Sequence, residues 1–99
     1  MAKRKIIWTK KANIERKDIL NFWIDHNKSK NYSIKLNKLF VETVNQIAET
    51  PTIGRETEFA NVRVRIARSY LIFYEYSPKY IKILTVLDGV REENTLKLK

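Results

Sequence analysis

Apolar residues recur along this chain at two different spacings, and the change of period divides it in two. Between residues 10 and 26, Ala12, Ile19, Phe22 and Trp23 fall three and four positions apart, while Arg16, Lys17, Asn21 and Asp25 stay polar. A helix returns a side chain to the same side about every 3.6 residues, so this spacing predicts an amphipathic helix from Lys10 to His26 with those four residues buried. Thr9 precedes it and can cap the free amides of its first turn, and His26 falls in its last turn, where a cation meets the negative helix pole. The polar break Asn27-Lys28-Ser29-Lys30-Asn31 has the length that joins antiparallel helices. A second helix is predicted from Ser33 to Glu49, with Leu36, Leu39, Phe40, Val44, Ile47 and Ala48 inward and Lys35, Lys38, Glu42, Asn45 and Gln46 in water. Pro51 ends it, because the residue before a proline is pushed out of helical geometry.

Further along, the period falls to two. Val62, Val64 and Ile66 alternate with Arg63 and Arg65, which predicts a strand carrying its aliphatic residues inward and its arginines on the outer face. Tyr70 to Tyr76 is apolar on both faces, as a central strand covered by helices would be, and the β-branched run Tyr80 to Leu87 predicts a third strand. Ala67-Arg68-Ser69 and Ser77-Pro78-Lys79 are short enough to be hairpin loops. Residues Arg4 to Thr9 form a short N-terminal strand. Gly54, in the turn after Pro51, and Gly89, after the last strand, are expected at positive φ. The tail Gly89 to Lys99 is polar and expected to be irregular. The order is strand, helical hairpin, then a three-stranded antiparallel meander. That predicts an α+β fold, with the hairpin on one face of the sheet.

Composition narrows the class. The 99 residues fit one domain spanning residues 1–99. With 43% hydrophobic residues the chain can fill a core. No cysteine is present and there is one histidine, which removes disulfides, thiolate chemistry and His-rich metal sites. No apolar run approaches the ~20 residues of a membrane span, and Ile6-Ile7-Trp8 is too short for a signal-peptide core, so a cytoplasmic protein is expected.

The charge is uneven in kind. The 20 Lys and Arg exceed the 11 Asp and Glu by nine. Residues 1–50 hold nine Lys and two Arg, whereas residues 51–78 hold Arg55, Arg63, Arg65 and Arg68 and no Lys. Arg91 follows the last strand. Arginine grips carboxylate or phosphate with a planar fork of donors, while lysine acts as a mobile point charge. The sheet half is therefore expected to make oriented anion contacts. Tyr70, Tyr74 and Tyr76 share one strand face. Such a row either stacks on bases, as single-strand-binding surfaces do, or packs in the core with its hydroxyls at the edge. There is no Gly-rich phosphate loop, zinc ligand set or carboxylate pair, so neither a metal nor a cofactor is expected. An enzyme of this composition would cleave a phosphodiester without metal, through arginine charge and help from Lys, Tyr or Glu. Charge alone also allows a plain nucleic-acid-binding module.

The succession of Ile7-Trp8, a helical hairpin, Pro51-x-x-Gly54-Arg55, Val62-Arg63, Tyr70-Leu-Ile-Phe-Tyr74 and Ile83 to Arg91 resembles the RelE/ParE superfamily of toxins from bacterial type II toxin–antitoxin modules. The resemblance covers nearly the whole chain. It implies one of two activities. RelE-like members cut messenger RNA on the ribosome; here that role would fall to Arg63, Arg65 and Arg91, with Lys97 or Tyr74 assisting proton transfer. ParE-like members inhibit DNA gyrase by protein contact. Leu71 stands where RelE-like nucleases carry an arginine, and Lys97 or a neighbour where their C-terminal tyrosine falls, which tells against the nuclease. Gly54-Arg55 and the run Ile83 to Arg91 are more similar to ParE. Both branches imply an antitoxin with an acidic or amphipathic C-terminal segment. The residues expected to meet target or antitoxin are Arg55, Arg63, Arg65, Arg68, Tyr70, Tyr74 and Arg91.

Overall fold

The computed structural model describes residues 4–89. The tail expected to be irregular, and with it Arg91 and Lys97, lies outside them beyond Gly89. The chain forms β1 (Lys5–Trp8), α1 (Lys10–Asn27), α2 (Asn31–Glu49), a 3-10 turn (Pro51–Ile53), β2 (Arg55–Glu56), β3 (Val62–Ala67), β4 (Tyr70–Tyr76) and β5 (Tyr80–Asp88). The sheet order is β1-β5-β4-β3-β2. β1 runs parallel to β5, and every other pairing is antiparallel. The predicted elements are present, with α2 starting at Asn31 rather than Ser33. The two-residue β2 and the 3-10 turn are additions that no hydrophobic period announces.

Local chemistry accounts for the helix ends. Thr9 caps α1, its hydroxyl accepting the Ala12 amide at 3.1 Å. Lys28 closes the helix in the left-handed region at φ 55, a conformation that costs an L-residue with a side chain about 1 kcal/mol or more. α2 buries Leu36, Phe40, Val44, Ile47 and Ala48. Beneath them lie Tyr70, Ile72 and Tyr74 of β4 and Ile81, Ile83 and Val86 of β5. Phe22 departs from its predicted place in the α1 core and is 56% exposed. Its ring stacks on His26 at 5.6 Å and meets Trp23 edge-on at 5.1 Å.

The faces of β3 are the reverse of those predicted. Arg63 is paired with Tyr74, Arg65 with Ile72 and Ala67 with Tyr70. Cross-strand partners share a face, so the arginines lie on the helix-covered side. Val62, Val64 and Ile66 lie on the open side with Glu75, Phe73 and Leu71. The cause is loop parity. A three-residue loop, Ala67 to Ser69, would pair Ile66 with Tyr70 and turn the valines inward. The loop has two residues, Arg68 and Ser69, and a shift of one position moves every side chain to the other face.

Both glycine expectations also fail, because neither residue has a positive φ. Gly54 sits at φ −78. Its requirement is space: a Cβ there would lie 2.6 Å from the Tyr74 hydroxyl and 2.8 Å from the Val64 carbonyl oxygen. At Gly89 a Cβ would collide with the Ser69 carbonyl oxygen.

β1 covers β5 only as far as Ile83, and beyond that point α1 seals the edge with side chains. The Thr9 hydroxyl donates to the Ile83 carbonyl at 2.8 Å. The Glu15 carboxylate accepts from the Val86 amide at 3.1 Å, the Thr85 hydroxyl at 2.6 Å and the Lys11 ammonium at 2.7 Å. An edge whose amides are already bonded is closed to further strand pairing. Burial alone would raise the Glu15 pKa, but the Lys11, Thr85 and Val86 bonds outweigh it and hold the carboxyl below its ordinary value. A carboxyl depressed in the folded state stabilises the fold above its unfolded pKa, and that contribution is lost as pH falls through the folded value. Glu15→Gln is thus expected to lower the urea midpoint at pH 7 and to flatten its fall toward pH 3. Lys28→Gly should raise stability by about 0.5–1 kcal/mol, read as a higher urea midpoint at unchanged slope.

Candidate functional site

Arg63 and Arg65 come together on the helix-facing side of β3, at the rim where the segment from Pro51 to Glu56 folds against the sheet. The Arg63 guanidinium is occupied. It donates to the carbonyls of Gly54 at 2.8 Å and Thr52 at 3.3 Å, meets the Glu56 carboxylate at 3.4 Å, and lies 5.9 Å from the centre of the Tyr76 ring. Its side chain is 17% exposed. It therefore stitches the turn and β2 to the sheet while leaving part of its fork at the surface. Arg65 is half-buried beside it. Next to Arg63, the loop between β2 and β3 forms a recess of about 310 Å³ lined in part by Glu56, Glu58, Phe59, Asn61 and Tyr76.

Tyr70 and Tyr74 are core, while Tyr76 is half-buried at the recess. Tyr74 is fully buried. Its hydroxyl donates to the Pro51 carbonyl at 2.5 Å and accepts from the Gly54 amide at 3.0 Å. Burial raises its pKa, against the opposing Gly54 bond and the positive charges of Arg63 and Arg65. A sealed phenol with a raised pKa and both hydrogen-bonding roles filled cannot serve as the proton-transfer group. Tyr70 is 5% exposed, and its hydroxyl accepts from the Trp23 indole at 2.8 Å. Burial raises its pKa as well, against the Trp23 bond. Neither ring offers a face to a base or a partner.

The other arginines stand apart. Arg55 is paired with Val64 and so belongs to the open face, where it is exposed. Arg68 occupies the β3–β4 turn at φ 58, with its guanidinium 5.9 Å from the centre of the Tyr32 ring. It lies roughly 16 Å along the strand from Arg63. The expected single arginine cluster is thus one pair, Arg63 with Arg65, and two separate surface cations.

Residue patterning also failed to assign the open face of β3, β4 and β5. Val64, Ile66, Leu71, Phe73 and Leu87 are exposed or half-buried there. The available signal was that β4 is apolar on both faces while the sequence supplies two helices, enough to cover one.

Residues 6–93 match the family model of the ParE toxin of type II toxin-antitoxin systems, parDE. The match spans most of the chain, and the chain belongs to that family. The fold is similar to that of a solved structure described as the chromosomal ParDE TA system from P. aeruginosa. The TM-score is 0.74 at 20% identity, covering 86% of this chain and 95% of that one. No curated protein matches. The protein is accordingly the toxin component of a type II toxin–antitoxin module, and a cognate antitoxin is its partner. Among the described residues no helix is long and apolar enough to cross a membrane.

The two arginines should separate by substitution. Arg63→Ala breaks the contacts to Thr52, Gly54 and Glu56 and is expected to cost about 1–2 kcal/mol. Arg65→Ala uncovers the apolar surface under its half-buried stem and should cost less than Arg63→Ala, about 0.5–1 kcal/mol. Tyr74→Phe leaves the Pro51 carbonyl and Gly54 amide without their buried partner, for a cost of about 1–3 kcal/mol. Urea midpoints at constant slope would report all three.

Proposed function

We propose that this toxin arrests bacterial growth by binding DNA gyrase through protein contacts, in the cytoplasm, and that an antitoxin with an acidic or amphipathic C-terminal segment holds it inactive. The family match over residues 6–93 carries this reading. The arginine pair supports it. Arg63 lines a recess that contains Phe59 and Tyr76, with Arg65 following it on the same face of β3, and Arg with aromatic rings is the composition that dominates protein-binding hot spots. Arg55 and Arg68 add exposed positive charge elsewhere on the surface, which speeds encounter with an acidic partner. The burial of Tyr74 argues in the same direction, since it withdraws one of the two groups that could have moved a proton beside those arginines.

Purified toxin added to gyrase and relaxed plasmid is expected to block supercoiling at micromolar concentration. Arg65→Ala, which keeps the fold, should weaken that inhibition about tenfold or more, the size expected for a charged interface contact. Undisturbed supercoiling together with codon-registered cuts in translated message would overturn the proposal in favour of a RelE-like messenger RNA endonuclease.

A further inference from the structure

Of the large apolar side chains among the described residues, Phe59 is the most exposed, at 65%. It stands in the loop of residues 57–61 that joins β2 to β3, where small polar residues are the usual choice. Phe22, the other exposed phenylalanine, stacks on His26 and meets Trp23. Phe59 has no such partner among the described residues.

The loop that presents this ring is nonetheless fixed. The Thr57 hydroxyl accepts from the Phe59 amide at 3.1 Å and donates to the Val62 carbonyl at 2.8 Å. The Val62 amide donates to the Phe59 carbonyl at 3.3 Å, and the Tyr76 amide of β4 donates to the Asn61 carbonyl at 3.0 Å. Asn61 makes the last bend at φ 62, a left-handed geometry that asparagine adopts more readily than most residues. A ring held in water by a fixed backbone loses little freedom when a partner covers it, and rigid aromatic anchors gain affinity in this way.

Position and charge choose the partner. The ring borders the recess that Arg63 and Tyr76 also line, so a protein that closes on this arginine covers Phe59 as well. Glu56 and Glu58 precede the ring, and no lysine or arginine falls between Glu56 and Val62. Glu58 is exposed and, unlike Glu56, has no ion-pair partner among the described residues. These carboxylates repel an acidic antitoxin segment. They favour a pocket with a cationic rim, and proteins that hold DNA carry basic surfaces. We infer that Phe59 is the anchor this loop inserts into an apolar, basic-rimmed pocket of the target, and that it selects the target without serving the antitoxin. This assignment rests on the gyrase reading above and adds to it the residue that recognises the target.

Two measurements run side by side: inhibition of gyrase supercoiling by purified toxin, and calorimetric titration with the product of the reading frame adjacent to the toxin gene. The forms compared are the unaltered chain, Phe59→Ser, Phe59→Leu, Glu58→Lys and, as a ring elsewhere in the fold, Phe22→Ser. Urea melts verify each fold, and Phe59 has little packing to lose. Phe59→Ser should raise the toxin concentration that halves supercoiling about thirtyfold or more, the size of an interface hot spot. Phe59→Leu keeps an apolar anchor and should recover most of that loss. Glu58→Lys should weaken inhibition several-fold, and Phe22→Ser should leave it within about twofold. Antitoxin affinity should not respond to Phe59→Ser. Inhibition by the unaltered chain that Phe59→Ser leaves intact would overturn the assignment while the gyrase reading stands. No inhibition by the unaltered chain would remove that reading, and the assignment with it. Antitoxin affinity lost by a like factor would make the loop a shared contact and overturn its selectivity for the target, and Glu58→Lys without effect would overturn the cationic rim.

Discussion

A hydroxyl inside an apolar core is stable only when its donor and acceptor roles are both filled, and Tyr74 fills them with backbone from the segment that leaves α2. It donates to Pro51 and accepts from Gly54. The same two bonds satisfy a carbonyl and an amide that the turn buries, so the dependence is mutual. Gly54 follows from this arrangement, because no side chain fits between the phenol and the Val64 carbonyl. Arg63 then holds the Thr52 and Gly54 carbonyls of the turn from the adjacent strand. Together these contacts fix where the chain leaves the helical layer, and β2 pairs with β3 at Arg55 and Glu56.

That attachment explains why cations can occupy the inward positions of β3. The well-packed part of the core lies under β4 and β5, and it ends toward β3, where Ala67 is the one inward residue buried outright. Arg65 and Arg63 continue the inward face past that limit. Long arginine stems cover apolar surface while the guanidinium reaches polar groups at the rim. The outward positions go to Val62, Val64 and Ile66, and with them the sheet acquires a second apolar face. One feature of connectivity sets both outcomes, the two-residue loop at Arg68 and Ser69.

Much of this fold was legible in the sequence. Helical spacing, Thr9, Pro51 and the change of period located both helices and the four main strands, and the ordered succession of motifs pointed to the right toxin family. Facing was not legible on β3. Alternation says that neighbours lie on opposite sides, but which side is inward depends on the loop count, and Ala67, expected in the loop, belongs to β3. β2 is too short for any period to declare it. The role of Gly54 depends on a phenol twenty positions away, and the role of Glu15 on a strand edge seventy positions away. In the candidate site, the nearness of Arg63 to Arg65 followed from alternation. The engagement of Arg63 with the turn did not, because its carbonyl partners lie on a segment that appeared only as a loop.

β2 is where the two faces of the sheet meet. Its two residues face opposite ways, Arg55 sharing the open face with Val64 and Glu56 sharing the arginine face with Arg63. The sheet therefore meets its short edge with two unlike faces, an apolar one bordered by Arg55 and one on which the Arg63 guanidinium is held by Glu56. An arginine on the edge strand and an arginine on its neighbour are thereby turned to opposite sides, although they are joined through a single cross-strand pairing. The parity of the Arg68–Ser69 loop creates that pair of faces.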